Sequence, residues 1–293
     1  MFVGFNLDDL TEYSFSDYLE AGKLYFEERK SKLESASDSL DKYMCENGLD
    51  ADIMQKQWFP EVHADIFISH SHDDKDLAVS LAGWLHEKFD LDVFVDSMIW
   101  EYANNLLKKV DNRYCVQTKD GNHTTYSYSR RNRSTSHVHM MLMTALANMI
   151  EKSECLFFLH TTNSSPISDI IEERTESPWI YAELALSRII RPTMLSRERV
   201  KNILHDEPKN LLYGIILEHA DKKEYAIPIW YKLPVNHLQS LSSSDLDDWE
   251  ESSWEDVPES VRQSQGWHPL NGLYRLKKVF DSRKLFDSHR LFH

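Results

Sequence analysis

The sequence predicts an α/β fold built on a parallel sheet. Three short apolar runs carry that reading: Asp65-Ile66-Phe67-Ile68-Ser69, Leu91-Asp92-Val93-Phe94-Val95 and Glu154-Cys155-Leu156-Phe157-Phe158-Leu159-His160. Runs of this length and composition suit strands buried on both faces. Between the first two lies a helix, Asp76 to Phe89, whose core face is Leu77, Leu81, Trp84 and Leu85, with Asp76, Ser80 and Glu87 turned away. Strand, helix and strand within about thirty residues make a βαβ unit. Ligands of such sheets bind beyond the carboxyl ends of the strands, which places Ser69, His70, Asp96 and Ser97 at the working edge.

The 293 residues suffice for one large domain or two modest ones. Residues 1–60 read as a helical extension. Ser16 to Asn47 is amphipathic, and Ala51 to Trp58 is a short helix ended by Pro60. Such an extension either packs on the main domain or serves oligomerisation or sensing. After the second strand the alternation breaks at about residues 99–133. Ile99 to Lys109 fits a helix, and Asp120-Gly121 between two polar β-type runs is a strong hairpin signal. Arg130, Arg131 and Arg133 follow, either solvated or facing phosphate. Ser134 to Lys152 is a helix with Val138, Met141, Leu142, Ala145, Leu146 and Met149 inward. Its methionines suit core filling. Further strands are expected at Tyr213 to Glu218 and Ala226 to Leu233. Residues 240–260 read as a mobile acidic linker, and Gly272 to Phe286 as a closing helix.

Ser177-Pro178-Trp179-Ile180-Tyr181-Ala182-Glu183-Leu184 opens a helix. Ser177 is a natural N-cap and Pro178 suits the first helical position. Helical spacing puts Trp179, Glu183, Leu186 and Ile190 on one face, so a carboxylate stands in an apolar stripe. A buried carboxylate is paired, protonated or used. The plain alternative is an ion pair with Arg188 or Arg191.

Composition excludes several classes. The net charge of −15 disfavours a nucleic-acid backbone or an anionic membrane surface as partner. Cys45, Cys115 and Cys155 form no CxxC pair, so neither a disulfide framework nor a thiolate metal site is expected. His70 and His72 lack a third ligand nearby, and His137 and His139 do not share a helical face, so no metal is expected. The first residues carry no signal-peptide pattern and no apolar run reaches membrane length, so a soluble cytoplasmic protein is expected. The three Asn-x-Ser/Thr matches, at Asn122, Asn132 and Asn163, are then chance.

Several of these stretches resemble one family. Asp65 to Asp76, with its Ser69-His70-Ser71-His72-Asp73-Asp74-Lys75 loop, resembles the first box of Toll/interleukin-1 receptor (TIR) domains. Asp92-Val93-Phe94-Val95-Asp96 is similar to their second strand. The Trp179/Glu183 spacing resembles their enzymatic helix, and Ile227-Pro228-Ile229-Trp230-Tyr231 their fourth strand. The resemblance covers about residues 61–234, with the 99–133 insertion inside it and an acidic linker and helix at 235–293 beyond it. It implies a flavodoxin-like sheet and, as in many bacterial members, cleavage of NAD+ at the nicotinamide–ribose bond. NAD+ is then substrate, with no separate cofactor. Glu183 maps onto the catalytic glutamate. Ser69, His70, Asp96, Ser97 and Trp179 are expected to bind substrate, although Trp179 is as readily core packing. One carboxylate suffices chemically, because nicotinamide is a pyridinium leaving group and the ribosyl cation needs only charge stabilisation. The product is a hydrolysis product, a cyclic isomer or a conjugate. The resemblance also implies self-association through the TIR unit. By analogy to Thoeris-like antiphage systems, it implies a nucleotide signal read by an effector protein, or depletion of NAD+. The competing reading is a non-catalytic adaptor acting through TIR–TIR contacts; adaptor members commonly lack the glutamate. The insertion replaces a loop that helps assemble active TIR arrays, and the two ends of the chain lie outside the family pattern.

Overall fold

The computed structural model describes residues 1–33, 40–45, 48–120, 123–165, 174–204, 229–253 and 267–280. The strands are β1 (Val3–Leu7), β2 (Met44–Cys45), β3 (Gly48–Leu49), β4 (Ile66–Ser69), β5 (Val93–Val95), β6 (Val116–Asp120), β7 (His123–Tyr126), β8 (Cys155–Leu159), β9 (Arg174–Thr175), β10 (Tyr231–Lys232) and β11 (Gln239–Ser240). The helices are α1 (Leu19–Leu33), α2 (Ala51–Trp58), α3 (Lys75–Phe89), α4 (Ser97–Val110), α5 (Tyr128–Lys152), α6 (Pro178–Ile189), α7 (Arg197–Leu204), α8 (Ser243–Ser253) and α9 (Leu270–Leu276).

Five strands form one parallel sheet in the order β11-β1-β8-β4-β5. Two-residue periodicity sends alternate side chains to opposite layers. Ile66, Ile68, Val93, Val95, Cys155, Phe157, Val3 and Phe5 face a core completed by α1, α3, α7, α8 and α9. Phe67, Phe94, Leu156 and Phe158 face a second core completed by α2, α4, α5 and α6. The result is an α/β/α sandwich compatible with a flavodoxin-like arrangement.

The two ends of the chain depart from the reading of residues 1–60 and 235–293 as extensions. The chain opens with a strand, not a helix, and β1 pairs with β8 along its whole length from Val3↔Cys155 to Leu7↔Leu159. Val3, Phe5 and Leu7 alternate with Gly4 and Asn6, a period-2 signal that five residues are too few to announce. Residues 239–240 add a strand at the far edge of β1. Residues 243–253 form α8, not a linker. Its Trp249 is fully buried and stacks on Phe89 with ring centroids 4.0 Å apart. One aromatic anchor has overridden the acidic composition of the segment. Glu154, at the start of β8, accepts hydrogen bonds from Arg199 of α7 (2.8 Å from Nη2) and Tyr274 of α9 (2.8 Å), fastening both helices to the sheet.

Other expectations are met with shifted bounds. β6 and β7 form the antiparallel hairpin on either side of residues 121–122. α5 begins at Tyr128 because the hairpin runs straight into it, and Arg131 pairs with Asp111 at 2.8 Å, so this cation is already partnered within the insertion. Ser80 is buried, not solvent-facing, since α3 is covered on a second side by α1. The two helices meet where glycines permit close approach: a Cβ on Gly83 of α3 would lie 2.6 Å from the backbone nitrogen of Gly22 in α1. The strand expected at Tyr213 to Glu218 lies outside the described residues. Of the stretch expected as a fourth sheet strand, Tyr231–Lys232 pairs antiparallel with β9, and the place beside β8 is taken by β1. Among the described residues no helix is long and apolar enough to cross a membrane.

A chain trimmed to residues 61–234 therefore loses β1 and β11, and exposes the flank of β8. It is expected to lose the cooperative urea transition that the full chain shows. A trimmed chain unfolding with an unchanged midpoint would mean that the terminal strands do not belong to the folding unit.

Candidate functional site

The site lies where the sheet changes direction. The chain leaves β4 for α3 on one face and leaves β8 for α6 on the other, so the loops after these neighbouring strands diverge. Such a switch point opens a crevice at the carboxyl ends of the strands. The loops are tied to each other there. Thr161 Oγ1 and Asn163 Nδ2, after β8, donate to the two oxygens of Asp74, after β4, at 2.5 and 2.7 Å. Burial pushes the Asp74 carboxyl up from its ordinary value, against the pull of those two donors. The sequence reading did not single out Asp74. Its partners are nearly ninety residues away, and only the switch-point topology brings them close.

Four of the expected residues converge beside this tie. The β4/β5 register pairs Ile68 with Val95, so the next residues, Ser69 and Asp96, leave the sheet side by side. Period-2 alternation turns both toward the layer that holds α6. On α6 the buried residues are Ile180, Glu183, Leu184 and Ser187, spaced i, i+3, i+4 and i+7. This stripe is turned from the expected Trp179/Glu183/Leu186/Ile190 face, and Glu183 remains in it. Ser177 caps the helix, accepting from the Ile180 N–H at 3.3 Å, with Pro178 as the first residue.

Glu183 is fully buried. The Ser69 hydroxyl donates to its Oε2 at 2.6 Å. The other polar neighbour is Asp96, whose Oδ1 stands 2.5 Å from His70 Nδ1. Ser69, His70, Asp96 and Glu183 thus form one buried chain of polar groups. Arg188 is exposed on the outer side of α6, and the partners of Glu183 are Ser69 and Asp96, so the ion pair weighed as the plain alternative is not the one formed. Ser97 opens α4 next to Asp96. Trp179 is placed differently. It is half-buried, and its ring meets His139 of α5 edge to face, 5.1 Å between centroids. This contact fits the packing role that the sequence left open.

Burial first, and the Asp96 carboxylate second, hold the Glu183 carboxyl well above its ordinary value of 4.5, while the Ser69 hydroxyl pulls the other way. Protonated, Glu183 still accepts from Ser69 through Oε2, and its remaining oxygen is the one that can carry the proton. The arrangement sets the Glu183 carboxyl beside a second buried carboxyl in a low-dielectric setting, where a charge acts strongly on whatever is placed beside it. A groove of about 510 Å³ elsewhere, lined by Leu49, Met54, Tyr114 and Met141 among others, does not reach these residues. The carboxyl chemistry and the switch point, rather than volume, mark the candidate site.

The folded protein keeps the Glu183 proton at pH values where the unfolded chain has lost it. The contribution of this group to stability therefore falls as pH rises from the unfolded value of 4.5 toward the higher folded value. Glu183→Gln mimics the protonated form and has no proton to lose. It is expected to match wild type in acid and to exceed it in stability as pH rises, checked by urea unfolding at about pH 5 and about pH 8. A constant difference between the two proteins would mean that Glu183 titrates normally.

No family model, curated protein or solved structure matches the chain.

Proposed function

We propose that the chain is a TIR-type enzyme that cleaves the nicotinamide–ribose bond of NAD+, with Glu183 as its catalytic carboxylate. The observation that carries this reading is the burial of Glu183 on a capped helix, against Ser69 and Asp96, at the switch point of a parallel sheet. The order of boxes in the sequence supports the family, and the site chemistry supports the reaction.

In that reaction the C–N bond between ribose C1′ and the pyridinium nitrogen breaks. Its electron pair leaves with nicotinamide, which departs neutral, and the positive charge passes to the ribosyl group. No proton need be given to the leaving group. Ionised Glu183 stabilises the ribosyl cation, an effect that is large because the carboxylate is preorganised and shielded from water. Water as acceptor gives ADP-ribose and a proton; another nucleophile gives a cyclic isomer or a conjugate. The cationic substrate itself favours the ionised form of Glu183, so binding of NAD+ draws off the proton held in the free protein. Ser69 keeps the carboxylate oriented, and His70 holds Asp96. Action on NAD+ also requires that the packing over Glu183 open, since the group is fully buried. A role in antiphage defence, through a nucleotide signal to an effector protein or through loss of NAD+, with self-association of the TIR unit, rests on the family resemblance alone.

Nicotinamide release by purified wild type and Glu183→Gln tests the assignment. The variant is expected to fold and to lose activity by about 100-fold or more. The kcat/KM of wild type should rise with pH through the elevated Glu183 value. Asp96→Asn, which removes the neighbouring negative charge, should move that limb to lower pH. Wild-type rates in Glu183→Gln would end the catalytic assignment.

A further inference from the structure

The groove that does not reach Glu183 has a composition of its own. It is lined by the β2–β3 hairpin, α2, the end of α4 and the first half of α5. Its volume of about 510 Å³ falls within the roughly 300–1,000 Å³ typical of pockets for small organic molecules. Leu49, Met54, Val138 and Met141 give it apolar walls, and Tyr114, 39 % exposed, adds an aromatic ring.

Two lining residues break the apolar pattern. Arg133 and His137 stand four apart on α5, on the same stripe as Val138 and Met141. The other three arginines of the insertion are engaged. Arg131 pairs with Asp111 at 2.8 Å, Arg113 pairs with Asp41, and Arg130 donates to the Tyr114 carbonyl oxygen at 3.5 Å. Asp111, the buried carboxylate beside them, is taken up by Arg131 and by the Ser134 hydroxyl at 2.5 Å. Arg133 and His137 have no hydrogen-bond, ion-pair or ring partner among the described residues. This is notable in a chain whose net charge is −15, where carboxylates outnumber cations. A pocket with apolar walls and a few convergent polar groups is the usual form of a small-molecule site, and here the polar groups left open are cationic or neutral donors.

We infer that this groove binds a small organic anion, with an acidic oxygen head on an apolar, ring-bearing body. The planar guanidinium of Arg133 pairs with the oxygens of the head, and His137 supplies a further donor one turn along α5. The body lies against the Tyr114 ring and the methionines, whose flexible thioethers adapt to its shape. A neutral molecule of the same body gains only the apolar contacts. The insertion that interrupts the βα alternation thereby acquires a role, since Val110, Tyr114 and Arg133 all line the groove. The site is separate from the Glu183 chemistry and does not rest on the NAD+ reading.

The test uses the full chain and two fluorescent probes. Anilinonaphthalene sulfonate is an anion with an aromatic body, and phenylnaphthylamine is that body without the sulfonate. Wild type is expected to bind the anion saturably and about tenfold or more tighter than the neutral probe, the margin of a charge-assisted hydrogen-bonded pair. Arg133→Gln, at an exposed position without a partner to lose, should weaken the anion about tenfold and leave the neutral probe unchanged. Met44→Glu, at a lining position that is 52 % exposed, should weaken both probes. Arg188→Gln, which removes an exposed cation on α6, should change neither. Equal affinity of wild type for the two probes, no saturable binding of the anion, or wild-type affinity for it in Arg133→Gln would each overturn the site. Nicotinamide release plays no part in this readout.

Discussion

Two carboxyl groups buried side by side cannot both be ionised cheaply, and much of the carboxyl edge of this protein is arranged around that constraint. Glu183 stands on α6 and Asp96 just after β5, and each carries its own support. Ser69 donates to Glu183, and the His70 imidazole meets Asp96. The free energy lost in burying Glu183 is limited by leaving it protonated. A group kept neutral by its surroundings gains most when a cation arrives. This links the structure to the reaction proposed for it: the same burial that raises the affinity of Glu183 for a proton strengthens its action on a cationic ribosyl group.

The constraint reaches back into the fold. Ser69 and Asp96 stand together because β4 and β5 are parallel and in register, and Glu183 meets them because α6 lies on the face to which both residues point. The sheet is held on its other side by β1, whose Phe5 packs edge to face on Phe157 of β8. Residues 3–7 and 239–240, far apart in sequence, thus complete the platform on which the site stands.

The sequence disclosed the parts of this arrangement that depend on local pattern. Apolar runs located β4, β5 and β8, the Ser177-Pro178 pair located the start of α6, and the dipeptide at Asp120 marked the hairpin. Placing Ser69, His70 and Asp96 at one edge needed only the βαβ rule. What stayed hidden depends on distant partners. Val3–Leu7 is too short to declare itself a strand without β8 beside it. Trp249 looks like part of an acidic linker until Phe89 is seen against its ring. Asp74 gains its meaning from Thr161 and Asn163. Trp179, marked by its spacing from Glu183, turned out to meet His139 on the neighbouring helix.

The measurement closest to the central claim is the protonation state of Glu183 itself. It can be read as the carboxylic-acid band in the infrared difference between wild type and Glu183→Gln, recorded at neutral pH before and after NAD+ is added. The account predicts a protonated carboxyl in the free protein that loses its proton when NAD+ binds. An ionised Glu183 in the free protein, or a protonated one indifferent to NAD+, would contradict it.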